Sequence, residues 1–346
     1  MDPRYARQMR VEHVGEAGQA RLGSSHAMIV GVGALGCVSA DLLVRAGVGT
    51  VTIIDRDLVE RSNLHRQPLF TESDADEKKP KAIAAKERLE VVNAGVEVRG
   101  IIADFHCENA LGLIEGGGVP DVLIDGTDNF ETRFLLNDCS VKLGVPYVYG
   151  GAISTKGSAA VFVPGRGGPC LRCIVPEAPD AGTQPTCESA GVIGAVSSII
   201  GSYQAAEAMK VLMGQWDRVM GSMLSFDLWE GVRTRVELGD AKDAECVCCG
   251  KGEYGYLEGE RGLPQALCGQ QAVQIAGGGK MIDLRRLGAS LEGSGDFEVK
   301  DYMIRGMVEH GGERFELTCF ADGRAIVDGT VDVGVARAVY SRYISS

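Results

Sequence analysis

The stretch His26-Ala-Met-Ile-Val-Gly-Val-Gly-Ala-Leu-Gly36 decides how the fold is read. His26 to Val32 is a short apolar run ending at glycine, and Leu35 to Ala46 continues with helical length and spacing. Between them lies a G-x-G-x-x-G turn, Gly31-Val-Gly-Ala-Leu-Gly36. Glycines in a strand-to-helix turn let backbone approach a phosphate closely, and the helix N-terminus favours its charge. Asp55 ends the β-branched run TVTIID (50–55), about 20 residues on, where an acid can take ribose hydroxyls. Gly31, Gly33, Gly36 and Asp55 are therefore expected around a nucleotide. The turn by itself does not separate NAD from ATP.

Working outward, strand and helix signals alternate. Lys81 to Asn93 reads as an exposed helix with a Lys86–Glu90 pair, Val96 to Ile102 as a strand, and Asp121 to Asp125 (DVLID) as another. A helix follows over Thr132 to Leu143, then a strand at Tyr147 to Tyr149. This alternation predicts an α/β fold with a Rossmann-like, doubly wound, mostly parallel sheet. After Gly151 the pattern shifts to an antiparallel extension, beginning with Ser158 to Val163. Pro176 to Pro185 reads as a loop, and a helix is expected from about Ser189 to Met213. Gly250 to Gly262 (GKGEYGYLEGERG) reads as a connector between a domain over residues 1–250 and a small α+β domain over 251–346, which ends in a strand at Arg324 to Val327 and a helix at Val333 to Tyr343.

The chain has 346 residues and a net charge of −12, which argues against non-specific binding to nucleic acid or an anionic membrane. The longest apolar run, Ala190 to Tyr203, falls short of the roughly 20 residues of a spanning helix. Eleven cysteines and a polar start, MDPRYARQMR, suggest a reducing cytoplasm, where paired cysteines bind metal more often than they form disulfides.

The loop Asp57-Leu-Val-Glu-Arg-Ser-Asn-Leu-His-Arg-Gln67 favours ATP. A hydride-transfer site has no need of it. Arg66 offers a planar fork to phosphate oxygens, and Asn63 and Gln67 orient ribose or phosphate without adding charge. Lys81 supplies a point charge at the start of a helix. Asp128, in Asp125-Gly-Thr-Asp-Asn129, follows a strand at the end where open α/β sheets bind ligands, and an acid there can hold Mg²⁺ against phosphates. Two C-x-x-C pairs, Cys170/Cys173 and Cys246/Cys249, make a closed set of four thiolates for a structural Zn²⁺. Cys248 reads as spare, Cys37, Cys139 and Cys319 as core, and His65 has no assigned role.

These motifs occur in a fixed order: RYARQ (4–8), GVGALG, the D-x-D-x-V-x-x-S-N-L-x-R-Q run of Asp55 to Gln67, Pro80-Lys81, DGTDN and the two C-x-x-C pairs. Over about residues 4–250 the chain resembles the ubiquitin-activating-enzyme-like adenylyltransferases of the HesA/MoeB/ThiF type, which serve molybdopterin and thiamine biosynthesis. The resemblance implies that a ubiquitin-like (β-grasp) sulfur-carrier protein ending in Gly-Gly is adenylylated by ATP at its terminal carboxylate. It further implies that Arg7 reaches into a partner subunit's site, making a homodimer, and that Cys187, just before the apolar helix, is the cysteine some members use covalently. No tail cysteine, Cys268 or Cys319, sits in a sulfur-delivering loop, so a separate sulfur donor is expected. The rival readings are an NAD-dependent oxidoreductase, a non-catalytic carrier-binding or zinc scaffold, and a tRNA-modifying ATP-dependent dehydratase of the same fold.

Overall fold

A computed structural model describes residues 2–178, 190–259, 272–275, 281–292 and 295–344. The chain divides into two compact units, residues 1–262 and 263–346.

The first unit is built on strands β1 (His26–Val30), β2 (Thr50–Asp55), β3 (Glu97–Ile102), β4 (Val122–Asp125), β5 (Tyr147–Ile153), β6 (Lys156–Phe162), β7 (Ser222–Asp227) and β8 (Val232–Glu237). They form one sheet in the order β3-β2-β1-β4-β5-β6-β7-β8. The first five are parallel, and β6, β7 and β8 extend the sheet antiparallel. Side chains alternate across β1. Ala27 and Ile29 join one buried cluster, with Val51, Ile53, Val122 and Ile124, while Met28 and Val30 join another, with Ile54, Leu123 and Phe134. Both faces are therefore covered, which is why these strands read as continuous apolar runs. The chain runs outward from β1 to β2 and β3, then returns to place β4 on the other side of β1. Connections leave in opposite directions at the β1/β4 pair, and a crevice opens at the C-terminal ends of such strands.

The helix after β1 spans Ala34–Ala46 and that after β4 spans Phe130–Leu143. The helix of the antiparallel part runs Gly194–Leu212 rather than starting at Ser189. Gly191 turns at φ +70°, its carbonyl accepts from Ser154 N at 2.7 Å, and Ile193 N donates to Ser154 O at 3.1 Å. That extended pairing delays the helical turn. Buried Gln204 and Glu207 mark it as a core element, and no described helix is long and apolar enough to cross a membrane. Helix Lys81–Val92 is not wholly exposed: Ala82, Ala85 and Leu89 are buried, and only its outer face carries pairs such as Lys86–Glu90 at 3.7 Å. The first half of the glycine-rich connector packs into this unit, with Tyr256 buried 4.9 Å from the Phe134 ring.

The second unit is a five-stranded antiparallel sheet, order β10-β11-β12-β13-β9, from β9 (Ala272–Ile275), β10 (Phe297–Val299), β11 (Met303–His310), β12 (Glu313–Phe320) and β13 (Ala325–Asp328). Helices Leu284–Ser290 and Val333–Tyr343 start at Asp283 and Asp332, whose carboxylates cap their first N–H groups. Cys319 is buried in this unit's core, as Cys37 and Cys139 are in the first.

Candidate active site and metal centre

The three turn glycines differ in what requires them. A Cβ on Gly36 would lie 2.0 Å from Gly31 O, and one on Gly31, at φ +86°, would lie 2.8 Å from Gly126 O. Gly126, at the end of β4, is equally constrained: its Cβ would meet Gly31 O at 1.9 Å. These three let the β1 and β4 ends and the helix touch. A Cβ on Gly33 would meet nothing closer than Gly126 O at 3.6 Å. Of the three turn glycines, only Gly33 has room for a Cβ, at ordinary van der Waals distance, and it stands at the start of the helix Ala34–Ala46, where a phosphate is favoured.

Asp55 lines the same opening. Its carboxylate accepts from Val32 N at 2.7 Å and Asp57 N at 2.8 Å, fixing both oxygens while leaving lone pairs for hydroxyl donors. Burial raises its pKa, against the pull of Lys81. Lys81 N donates to Asp57 O at 2.9 Å, and Leu58 bridges Pro80, so the Pro80-Lys81 step is tied to the strand end. The Lys81 ammonium, buried, donates to Asp57 Oδ2 at 2.9 Å. Burial pulls its pKa down, but Asp57, Asp55 and Asp128 outweigh that and hold it above its ordinary value. Lys81 thus stays charged, with three acids converging on it.

The loop between them is held by its own polar groups. Asn63 is buried, its Oδ1 accepting from Glu60 N at 3.2 Å. Arg66 is folded back, with Nη1 donating to Ser62 O at 2.8 Å and facing His65 Nε2 at 2.8 Å. The start of the helix Gly194–Leu212 packs on this loop, so a Cβ at Gly194 would reach His65 O at 2.8 Å. Gln67 is 3% exposed, and its side-chain oxygen has no hydrogen-bond partner. A buried acceptor left open beside a glycine turn suits a ligand donor. Glycine turn, carboxylate, ammonium and open amide together fit ATP. Asp55 would hold the ribose and Lys81 the polyphosphate side, while the open Gln67 oxygen would take a donor such as a ribose hydroxyl.

Asp128 is exposed on the turn after β4 and close enough to bear electrostatically on Lys81 and Arg133. Beneath that turn lies a buried network that the sequence reading left without a role. Asp125, fully buried, accepts from Thr127 N at 2.9 Å, Thr127 Oγ1 at 2.7 Å and Tyr147 Oη at 2.8 Å, and its backbone oxygen accepts from Gln204 Nε2 at 2.6 Å. Burial raises the Asp125 pKa, opposed by Arg133. The sequence quotes Asp125 inside DGTDN, but only its place at the end of a buried strand could have flagged it.

The four predicted metal thiols converge. Cys170, Cys173, Cys246 and Cys249 place their sulfurs within 4.8 Å of one another, with Cys170–Cys246 at 3.7 Å and Cys173–Cys249 at 3.4 Å. A tetrahedral zinc with bonds of about 2.3 Å needs sulfurs about 3.8 Å apart, so the set fits such an ion. Cys248 stands outside this set, as expected, but has a place of its own. It is fully buried, accepts from Asn137 Nδ2 at 3.3 Å and donates to Asp138 Oδ1 at 3.3 Å. Asn137 Oδ1 also takes Leu171 N at 2.8 Å, and Asp138 Oδ2 takes Tyr256 N at 3.0 Å. Two neighbouring residues of the helix Phe130–Leu143 thereby grip both C-x-x-C segments.

Arg7 is not brought to this crevice. It is exposed, and its segment is anchored where Gln8 Nε2 donates to Ala46 O at 2.9 Å. Ala46 ends the 13-residue helix that begins beside Gly33, about 20 Å away along the axis. Cys187 and Cys268 lie outside the described residues.

Residues 5–248 match the ThiF family. The chain is 38% identical over 347 residues to the "Sulfur carrier protein ThiS adenylyltransferase" of Bacillus subtilis (strain 168), covering 99% of this chain and 100% of that protein. It is 40% identical over 251 residues to the "Sulfur carrier protein adenylyltransferase" of Thermus thermophilus, covering 71% of this chain and 90% of that one. Crystal structures of E. coli MccB, one with succinimide, share the fold at a TM-score of 0.60 and 20% identity, over 72% of this chain and 75% of that one.

Proposed function

The chain belongs to the ThiF family, and from that premise we propose that it activates a ubiquitin-like sulfur-carrier protein by ATP-dependent adenylylation. A terminal glycine carboxylate oxygen attacks the α-phosphorus of ATP. The new C–O–P link makes an acyl-adenylate, the α–β phosphoanhydride breaks, and pyrophosphate leaves with that bond's electron pair.

The protein's part is positioning and charge. Asp55 accepts ribose hydroxyls, and Gly33 leaves room for the phosphates. Asn63 and Gln67 orient ribose or phosphate, and Arg66, once released from Ser62, clamps the phosphates alongside Lys81. Asp128 holds Mg²⁺, which when bound neutralises phosphate charge. Cys170, Cys173, Cys246 and Cys249 hold a structural Zn²⁺, and a reducing cytoplasm keeps these thiols available. Arg7, distant from its own crevice, serves the partner's site in a homodimer. Cys187 takes the activated carrier covalently, and a separate protein donates sulfur. The B. subtilis relative, which matches through the second unit, favours a ThiS-type carrier.

The observation that carries this reading is Lys81, buried and held charged by Asp55, Asp57 and Asp128, with Asp55 itself bonded to Val32 N in the glycine turn. A dinucleotide site for hydride transfer has no use for that ammonium. The test is ATP–pyrophosphate exchange with candidate carriers ending in Gly-Gly. Exchange that requires a carrier and falls about 100-fold or more in Asp128→Ala supports the reading. ATP binding with no exchange on any carrier would return the scaffold and dehydratase readings.

A further inference from the structure

We propose that Arg133 is a positioning residue for the nucleotide-bound cation, fixing the turn Gly126–Asp128 so that Asp128 meets the metal in one orientation. This rests on the adenylyltransferase reading above.

Asn129 caps the helix Phe130–Leu143, its Oδ1 accepting from Thr132 N at 2.8 Å. Arg133 stands one turn in, and helical side chains lean toward the N-terminus. It therefore reaches back beneath the turn that carries Asp128. Its Nη2 donates to Thr127 O at 2.9 Å and to Gly150 O at 3.2 Å, and its Nε lies 3.3 Å from Asp125 Oδ2. The guanidinium lies 5.4 Å from the Phe130 ring centre and 5.3 Å from that of Tyr149. Asp125 takes the Thr127 amide and hydroxyl from the other side. Thr127, the residue before Asp128, is thus gripped at its N–H, its Oγ1 and its C=O.

A buried ion pair is weak evidence for stability, because desolvation offsets its attraction. What this one supplies is geometry. Asp128 is exposed, and one carboxylate on a free turn would visit many orientations. Fixing the preceding peptide removes most of them. A lysine cannot serve, since only a fork reaches two carbonyls and a carboxylate at once.

The experiment measures Mn²⁺ binding in the presence of ATP by electron paramagnetic resonance, with thermal melting and metal-free ATP affinity in parallel. Wild type, Arg133→Lys, Arg133→Gln, Thr127→Val and Asp128→Ala are compared. Outer partners of metal ligands change metal affinity about 10- to 100-fold. We expect Arg133→Lys to lose about tenfold in Mn²⁺ affinity while metal-free ATP affinity holds. Thr127→Val should move the same way by less, and the Mg²⁺ dependence of pyrophosphate exchange should shift in parallel. If Arg133→Gln does not fold, the lysine and Thr127 variants carry the test. Wild-type Mn²⁺ affinity in folded Arg133→Lys, with affinity lost in Asp128→Ala, overturns this inference alone. Wild-type affinity in Asp128→Ala overturns the metal assignment of the proposed function as well.

Discussion

At the residue scale, identical letters in a motif carry different duties. Gly36 has no room for a methyl group, because Gly31 O sits where the Cβ would go, whereas a Cβ on Gly33 would stand 3.6 Å from Gly126 O and fit. Gly36→Ala should therefore lower the melting temperature by several degrees, as overpacking by about 1–3 kcal/mol does. Gly33→Ala should melt near wild type yet bind ATP at least about tenfold more weakly by calorimetry. Equal melting losses in both variants would show that the turn serves packing alone. The sequence made the G-x-G-x-x-G turn legible, and with it Asp55 at the next strand end and Lys81 at the start of a helix. It hid Gly126 and Arg133, because what demands them lies across the sheet. Gly126 is excluded from carrying a side chain by Gly31, and an arginine in a helical pattern reads as a surface charge until Asp125 is found beneath it.

At the element scale, the helix Phe130–Leu143 links the two centres of the first unit. Its N-terminal turn carries Asn129 and Arg133 under the candidate Mg²⁺ site, and one turn after Arg133, Asn137 and Asp138 hold the Cys248 thiol and the backbone N–H groups of Leu171 and Tyr256. Cys246→Ser should cost the bound zinc, read as metal per chain by elemental analysis. Cys248→Val should keep the zinc but leave Asp138 Oδ1 and Asn137 Nδ2 without their buried partner. Orphaned groups of that kind cost about 1–3 kcal/mol, a few degrees in a unit of this size. Zinc lost equally in both variants would make Cys248 a ligand. Spacing alone picked out the four thiols that converge, since C-x-x-C is a local signal. The role of Cys248 needed helix residues more than 100 positions away in sequence. The start of the helix Gly194–Leu212 was misread for a related reason: apolar periodicity runs on through 191–193, but Ser154 pairs with that backbone and keeps it out of the helix.

At the scale of the whole molecule, alternating strand and helix signals were enough to expect a parallel sheet with an antiparallel extension. The order β3-β2-β1-β4 was not legible, because periodicity does not record which strands pair. That order places the crevice, and it also isolates Arg7. The segment bearing Arg7 is tied to Ala46 and, through Tyr5 Oη and Asn93 Nδ2 at 2.8 Å, to the end of the helix Lys81–Val92, away from the glycine turn. If Arg7 acts at all, symmetry offers the route: in a two-fold dimer each subunit can lend it to the other. Arg7→Ala and Asp128→Ala homodimers should then both be inactive in carrier-dependent exchange. Co-expressed with different tags and randomly assorted, they should recover activity. Half the dimers are mixed, and each mixed dimer holds one crevice with its own Asp128 and an intact Arg7 from the partner. About a quarter of all sites are then complete, and the purified mixed dimer should show half of wild-type activity. Arg7 acting within its own chain gives no recovery, since every mixed dimer then has one defect in each crevice. An active Arg7→Ala homodimer would remove Arg7 from the reaction and, with it, the reason for requiring a composite site.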